Sequence, residues 1–516
     1  MANPIIAAMK NAYLDWLVME DTAAQQQVLT YRSYYEGDPP TQLTDRQAQF
    51  LNVARDKRFG ANVCAPIVDT LVERLRVTGF DVRGKGETVT DAPKVLAALL
   101  DDWWSLNRMD AGQDVVHRAA LRDREAFIIV SFDEKNNRPQ LAYDFAYDGR
   151  SGVKVHMVPG TYNQVAFASK RWIVSQSKEG TYKRLNTYFP NRIEKWASFI
   201  TPGNKHGEAF WQPYEKEEGL EMATCQDELG NEYMASVAWW TDDGTETGEP
   251  LGIPVIPFIN RDDGTGAGLS EIDNAIPLQD GINKTYIDLM AAADMTGFGM
   301  YWTTGSPPLG GWKVYPGAMY EVAVAPGSTG AAMGTLPAGD LSGLINLLQT
   351  QVALLAGITG TPQSRFTPSA VRPAEGTQKQ EEAALVAKAR GLQKAWGNAW
   401  EDAMRMCIRV ADAFAEGVTI SDIGDLIIST AWADAEVRNE LQHLEGVALK
   451  VERLEVPVQQ AWTEAGYDAS QVRAFERQRR NEQAAARLAA LRAATKQPPT
   501  PEQAPEPTEP ETEEEE

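Results

Sequence analysis

One segment constrains the fold more than any other: the run from Glu375 to about Glu416, which contains no proline. Its apolar side chains recur in steps of three and four residues, at Leu385, Ala389, Leu392, Trp396, Ala399, Ala403, Cys407 and Val410. This spacing predicts a single α-helix, which at 1.5 Å per residue would be roughly 60 Å long. Gly391 and Gly397 are the positions at which we expect it to bend. Because the apolar stripe is so long and its flanks are polar, we expect neighbours to cover it.

The charge of the chain is strongly acidic. The 516 residues carry a formal net charge of -23, and eight glutamates lie in the segment Gln497 to Glu516, which has no basic residue. Removing those eight charges still leaves -15 for the rest of the chain. A protein that grips DNA by neutralising phosphates should be basic, so this balance argues against tight static binding of nucleic acid. It is compatible with DNA that slides past an acidic wall.

The distribution of cysteines and of apolar residues indicates the compartment. Cys64, Cys225 and Cys407 are far apart, with no C-x-x-C pair and no histidine at ligand spacing, which predicts a reducing environment and no structural metal. The first residues lack the apolar core of a signal peptide. The longest apolar stretch, Leu344 to Ile358, is interrupted by polar residues. We therefore expect a soluble protein, made in a cytoplasm, without membrane spans.

The order of sequence patterns predicts an α+β fold that is mainly α, with several compact units in a chain of this length. Residues 1–123 show mostly helical periodicity, and residues 124–260 contain short runs of Val, Ile, Tyr and Phe typical of strands. A helix is expected after a capping-box spacing at Ser270 and Asp273, with Pro277 in its first turn and its end near Thr296. A second helix is expected from Leu341 to Ala356.

The remaining segments connect or follow these helices. Gly297 to Gly339 is rich in Gly, Pro and aromatic residues, with strand-like pieces at Met300 to Thr303 and Met319 to Val324. A loop is expected over Thr359 to Ala374, and a last helical region over Asp434 to Ala494. The Pro/Glu-rich end from Gln497 cannot bury a core and is predicted to be disordered.

Several short motifs occur in an order that carries a resemblance. They are Tyr34-Tyr35-Glu36-Gly37, Val72-Glu73-Arg74-Leu75, Tyr188-Phe189-Pro190-Asn191-Arg192, Ile253-Pro254-Val255-Ile256-Pro257, Leu278-Gln279-Asp280-Gly281-Ile282-Asn283-Lys284 and Gly357-Ile358-Thr359-Gly360-Thr361-Pro362. Together they make the chain similar to the portal proteins of tailed double-stranded DNA bacteriophages, most closely to the forms from phages of actinobacteria. The match rests on their joint order, because each motif alone is a short apolar or turn sequence.

The resemblance implies a portal fold with named regions. In this numbering they would be the helical part of the wing (1–123), the β-rich part of the wing (124–260), the first stem helix region (261–296), the clip (297–339), the second stem helix (340–357), the tunnel loop (358–374), the long kinked helix that spans the wing (375–417), the helical crown (418–496) and a disordered acidic tail (497–516).

The resemblance also implies a function and partners. Portal proteins form a dodecameric ring at one capsid vertex of the virion, through which the terminase large subunit drives double-stranded DNA and through which the DNA is later ejected. Further partners would be the head-tail adaptor, the major capsid protein and the scaffolding protein. Arg365 and Arg372 in the tunnel loop, with Lys284 on the first stem helix, are the residues expected to meet DNA. Whether the two arginines instead bond to neighbouring loops stays open.

Two glycine-rich segments could be read as nucleotide-binding loops. Gly79 to Gly86 lacks the Ser or Thr that a phosphate loop places after its lysine, so we interpret it as a turn. Gly264 to Gly268 lacks the third glycine at the right spacing and the βαβ context, so a loop before a helix is the simpler interpretation.

No other residue pattern predicts an enzyme, a cofactor or a metal site. The four histidines, His117, His156, His206 and His443, are scattered, and the acidic pairs Asp101-Asp102 and Asp262-Asp263 fit solvated surface better than a two-metal site. Trp396 and Trp400 could stack on bases but fit a core better, since they lie beside the apolar stripe. The rival functions are another virion structural protein, such as a head-tail adaptor or capsid component, and a phage nuclease or ATPase.

Overall fold

The computed structural model describes residues 21–38, 45, 60–84, 92–158, 161, 164–200, 211–226, 230, 232–261, 268–297, 301–304, 332–335, 341–366, 375–416, 426–436, 440–467 and 469–494. The chain divides into two compact units, Met1–Arg438 and Asn439–Glu516. Both helices and strands are abundant, so the predicted α+β class is confirmed.

The described helices of the first unit are α1 (Asp21–Tyr35), α2 (Cys64–Val72), α3 (Ala92–Leu106), α4 (Met109–Asp123), α5 (Ile276–Gly297), α6 (Ser342–Thr359) and α7 (Glu375–Phe414). The long helix α7 runs for 40 residues without interruption. Helix α5 begins at Ile276, after a short 3₁₀ turn, and the expected capping box is absent. The Ser270 hydroxyl instead donates a hydrogen bond of 2.6 Å to the carbonyl of Arg122, which fixes this loop to the end of α4.

The described strands are β1 (Val77–Gly84), β2 (Glu125–Asp133), β3 (Arg138–Phe145), β4 (Ser151–Met157), β5 (Val165–Gln176), β6 (Thr181–Tyr188), β7 (Arg192–Ile200), β8 (Gln212–Pro213), β9 (Glu221–Gln226), β10 (Glu232–Trp239), β11 (Val255–Ile259), β12 (Tyr301–Thr304), β13 (Ala332–Thr335) and β14 (Leu426–Trp432). Strands β11, β2 and β3 form one sheet, and β4-β5-β6-β7-β10-β9 form a larger one in which β8 pairs with β7. All neighbouring strands in these sheets are antiparallel.

Strands β1 and β14 pair with each other although their sequences lie far apart, with Phe80 opposite Thr430. This pairing corrects one interpretation, because Gly79 lies in a strand and not in a turn. The mostly helical region 1–123 also contains this strand. Residues 426–432 belong to the first unit, and the second unit begins at Asn439. The expected crown over residues 418–496 stays a prediction.

The main core of the first unit is built around α7, which packs on β2, β3, β11 and β14. Trp396 and Trp400 are 1% and 0% exposed, so their predicted place in the core is confirmed. The imidazole of His117 stacks on Trp396, with ring centroids 5.1 Å apart. Its Nδ1 lies 3.0 Å from the carbonyl oxygen of Leu75, and its Nε2 accepts a hydrogen bond of 3.1 Å from the indole of Trp400.

The apolar stripe of α7 is therefore covered by the chain itself, and the expectation that neighbours are needed to cover it is wrong. Gly397 has a packing role, because the hydroxyl of Thr430 donates a hydrogen bond of 3.0 Å to its carbonyl and a Cβ there would lie 3.3 Å from the indole nitrogen of Trp432. Gly391 faces open space, with nothing within 4 Å of the position of a Cβ. The expected kink in this helix stays a prediction.

The larger sheet packs on both faces. One face meets the three-stranded sheet through a cluster that includes Phe127, Ala168 and Tyr188. The opposite face carries its own small core, which includes Trp196, Trp211 and Tyr233. The sheet is thus fixed to the main body while it keeps a separate core of its own.

The second unit contains α8 (Glu440–Leu454), α9 (Val458–Glu464) and α10 (Ala469–Ala494). Phe475 at the start of α10 makes edge-on contacts with Trp462 and Tyr467, at centroid distances of 5.5 and 5.3 Å. The predicted strand at Met319 to Val324 and the predicted disorder from Gln497 lie outside the described residues.

Candidate functional site

Helices α5 and α6 pack against each other and are joined by the segment that contains the antiparallel pair β12–β13. The expected layout was a helix, a small inserted module and a second helix, and the described elements follow that order. In the buried part of α6, Val352, Leu355 and Ala356 face the body of the protein.

The first turns of α5 are anchored by two buried amides. The Gln279 side chain accepts a hydrogen bond of 2.8 Å from the backbone N–H of Val63 and donates one of 2.5 Å to the carbonyl of Ala61. The Asn283 side-chain oxygen accepts hydrogen bonds from the Gln279 amide and from the backbone N–H of Ala61. These bonds satisfy the backbone of the segment that enters α2, so the position of α5 is tied to α2.

Helix α1 contributes tyrosines to the same region. The Tyr34 hydroxyl donates to the carboxylate of Asp280 at 2.9 Å, and the Tyr31 hydroxyl donates to Asp273 at 2.7 Å. Burial and the bond to Asp273 raise the pKa of Tyr31 far above its ordinary value, so this hydroxyl stays a donor. The beginning of α5 is thus held from two sides, by α1 and by the segment before α2.

Helix α6 has a second apolar face that the described part of the chain leaves half exposed. Leu347, Leu354 and Ile358 are 47%, 52% and 51% exposed. They are separated by seven and four residues, a spacing that aligns them along one side of the helix. We call these three residues the α6 stripe. By length and composition alone, α6 is also the one helix in the described part of the chain that could cross a membrane. An apolar helix that packs against other protein has the same length and composition, so this finding is weak evidence for a membrane span.

The predicted DNA-contacting residues are placed as follows. Arg365 lies in a short 3₁₀ turn after α6 and makes an ion pair of 2.7 Å with Glu73, with both side chains well exposed. Lys284 is exposed on α5, and Arg372 lies outside the described residues. Lys284 and Arg365 thus lie on different elements, α5 and the turn after α6, and their contact with DNA stays a prediction.

The order of helices, insert and long helix agrees with a comparison against family models. Residues 14–484 of the 516 match the model described as "Phage portal protein, SPP1 Gp6-like". The chain belongs to this phage portal protein family. A search of curated proteins finds no match to the portal chain.

The portal protein family is a structural family. In this member several cysteine and histidine side chains are buried, which shifts their pKa values. Burial raises the pKa of Cys64 and of Cys225 to about 12, so neither thiol is a nucleophile near neutral pH. Burial lowers the pKa of His117 and of His156 to about 3. Within the described ranges no group of three or more His, Cys, Asp or Glu side chains could hold a metal ion.

The glycine-rich candidates also have structural roles in this portal protein. Residues 79–84 belong to strand β1, whereas Lys85 and Gly86 lie outside the described residues. At Gly268 a Cβ would lie 2.4 Å from the carbonyl oxygen of Arg124 and 2.5 Å from that of Asn260, so glycine is needed for a close backbone approach. Residues 262–267, with Asp262 and Asp263, lie outside the described part.

The anchoring residues of α5 were missed as functional residues by the sequence analysis. Gln279, Asp280 and Asn283 stand in a motif that carried the resemblance, and Tyr34 stands in another. A signal was present, because Gln279 and Asn283 are polar residues four apart on a predicted amphipathic helix. Their partners on distant segments could not be read from the sequence.

Proposed function

We propose that twelve copies of this portal protein form a ring at one capsid vertex, through which the terminase large subunit drives double-stranded DNA and through which the DNA is later ejected. The same ring would dock the head-tail adaptor and contact the major capsid and scaffolding proteins. Membership of the portal family supports this function. The single structural observation that carries it is the uncovered α6 stripe.

The helices and sheets suggest how the regions are divided. The sheets with α1–α4 and α7 would form the wing, α5 and α6 the stem, and the segment with β12–β13 the clip, which docks the motor and then the adaptor. The segment after α6 would be the tunnel loop and α8–α10 the crown. The net charge of -23 supports a channel whose wall repels the DNA backbone and lets it slide.

The α6 stripe supports a contact between copies through its energetics. Each of its three side chains is about half exposed, so covering the rest would contribute on the order of 1 kcal/mol per residue at each interface. A closed ring repeats this gain at every interface, because a head-to-tail contact that closes by rotation uses the same two surfaces each time. Helices α5 and α6 would thus line the channel side by side with those of the neighbours.

The assembly is tested by placing a charge in the α6 stripe. Leu354→Glu is expected to weaken or abolish ring formation, since a buried carboxylate without a partner would lie in each interface. Gln349→Glu is the matched control, because it adds the same charge to an exposed polar position of the same helix. Native mass spectrometry and negative-stain images would measure the oligomer. Equal ring formation by both variants, or a strictly monomeric wild type, would refute the proposed contact.

The proposed DNA contacts of Arg365, Arg372 and Lys284 need a test that separates them from structural pairing. Arg365→Ala and Glu73→Ala break the same exposed ion pair, which contributes at most about 1 kcal/mol to stability. If Arg365 contacts DNA, only Arg365→Ala should reduce the DNA packaged or retained per particle. Arg372→Ala and Lys284→Ala would be scored in the same complementation assay. Identical phenotypes for Arg365→Ala and Glu73→Ala would assign Arg365 a structural role.

A further inference from the structure

Helix α10 is strongly basic in a chain that is otherwise acidic. It contains six arginines and two glutamates over 26 residues. Arg477, Arg480 and Arg487 are all exposed, and at 3.6 residues per turn they fall within an arc of about 80° on one side of the helix. We call these three residues the arginine stripe.

The arginine stripe has few acidic neighbours in the described part of the second unit. Arg480 lies 3.8 Å from Glu476, at the limit of an ion pair, and Arg477 and Arg487 have no ion pair with a described residue. All residues from Asn481 to Leu488 are exposed, so this half of the helix is not covered by α8 or α9. Like charges one turn apart destabilise an isolated helix, so a polyanion along this side would stabilise it.

The chain itself supplies a polyanion immediately after the helix. Residues 497–516 contain eight glutamates and no basic residue. Their many prolines favour an extended chain of about 3.1 Å per residue, which gives a reach of roughly 60 Å. Helix α10 is only about 39 Å long at 1.5 Å per residue, so glutamates of this segment can reach every member of the stripe after the chain reverses direction.

We propose that residues 497–516 bind the arginine stripe of their own chain and mask it from other polyanions, above all from DNA. The masking stands on charge complementarity and chain reach alone. That DNA is the competitor rests on the proposed function, because a channel protein lies beside a long polyanion and must not hold it. The segment thereby keeps a basic helix from adhering to DNA in a protein whose net charge is strongly acidic.

The test compares full-length proteins that differ only in these charges. In the first variant the eight glutamates of residues 497–516 are replaced by glutamine. The second carries Arg477→Gln, Arg480→Gln and Arg487→Gln, and the third combines both sets. Binding of a labelled DNA duplex is measured by fluorescence anisotropy at several salt concentrations, with native mass spectrometry to compare the oligomeric states.

We expect the first variant to bind the duplex at least about tenfold more tightly than wild type at low salt. A plot of the logarithm of its binding constant against the logarithm of the salt concentration should be steeper by up to about 3, because each uncovered arginine adds about one unit to the slope. The combined variant should lose this gain. A peptide of residues 497–516 added to the first variant should restore weak binding. Because the measurement of DNA binding needs no ring, it can support the masking of the arginine stripe even if the channel function is refuted.

A matched control distinguishes the stripe from a general change in net charge. Arg76→Gln, Arg83→Gln and Arg261→Gln remove three exposed arginines of the first unit. Combined with the neutralised tail, they should leave the gain in DNA affinity intact. Two results would overturn the proposal: unchanged DNA affinity of the first variant, as expected if a neighbouring copy covers the stripe, or a gain that survives removal of the stripe arginines.

Discussion

The neutral state of His117 predicts how the stability of the portal protein depends on pH. The imidazole is completely buried, and burial lowers its pKa from 6.5 to about 3, against the weaker opposite effect of the hydrogen bond to Leu75. If Nδ1 carries the proton for Leu75, then Nε2 is free to accept from Trp400. Protonation would place a charge in the core and direct two N–H groups at each other.

The size and sign of the effect follow from proton linkage. Below pH 6.5 the unfolded chain binds a proton at His117 that the folded chain does not take up until the pH approaches 3. Stability therefore falls as the pH falls, by about 1.4 kcal/mol per pH unit for this one group. Between pH 6.5 and about pH 4.5 the expected loss is on the order of 3 kcal/mol.

The assay compares wild type with His117→Gln by urea unfolding, followed by tryptophan fluorescence, from about pH 7 to about pH 4.5. The variant should be less stable near pH 7, since it loses the stacking on Trp396, but the difference from wild type should shrink at each lower pH. Titration of the many carboxylates cancels in that difference. His156 lies in the separate core of the large sheet, and His156→Gln should remove a second, additive part of the dependence of stability on pH. If the free energies of unfolding of wild type and His117→Gln differ by the same amount at every pH in this range, the reasoning is refuted.

Two further predictions concern the long helix and the anchor of α5. Gly391→Ala should raise the free energy of unfolding by about 1 kcal/mol, because alanine favours a helix and nothing obstructs its methyl group. Gly397→Ala should leave the free energy of unfolding unchanged or lower it, because its methyl group would press on Trp432. Urea unfolding measures both variants, and equal gains in stability would contradict this packing of Gly397. Tyr34→Phe should cost roughly 1.5–3 kcal/mol by removing the bond to Asp280, measured in the same way, and an unchanged midpoint would contradict the anchoring of α5 by α1.

Periodicity was sufficient to locate the long helix and the helix pair. The structure places α7 at Glu375–Phe414 and α5 at Ile276–Gly297, close to the predicted bounds, because apolar spacing and the absence of proline act within the segment itself. The pairing of β1 with β14 was missed for the opposite reason. Its hydrogen bonds join segments about 350 residues apart in sequence, and neither segment alternates clearly enough to reveal its partner.

The candidate site was predictable only in part for the same physical reason. The apolar residues of α6 could be counted from the sequence, but which of them the chain buries depends on where α5 and the 3₁₀ turn before it lie. Arg365 could be named as a basic residue in a loop, whereas its pairing with Glu73 depends on the approach of a segment 292 residues away. Local patterns thus predicted residue types, and tertiary contacts decided their partners.

The contrast between α7 and α6 indicates in which order the protein folds and assembles. The stripe of α7 is buried by strands of the same chain, with Trp396 and Trp400 at the centre of the main core. The α6 stripe remains half exposed although the base of α5 is fixed by Gln279. A chain whose core is complete before it meets a neighbour does not need the ring in order to fold. We therefore propose that the α6 stripe serves assembly and not folding, so charges placed in it should separate ring formation from folding.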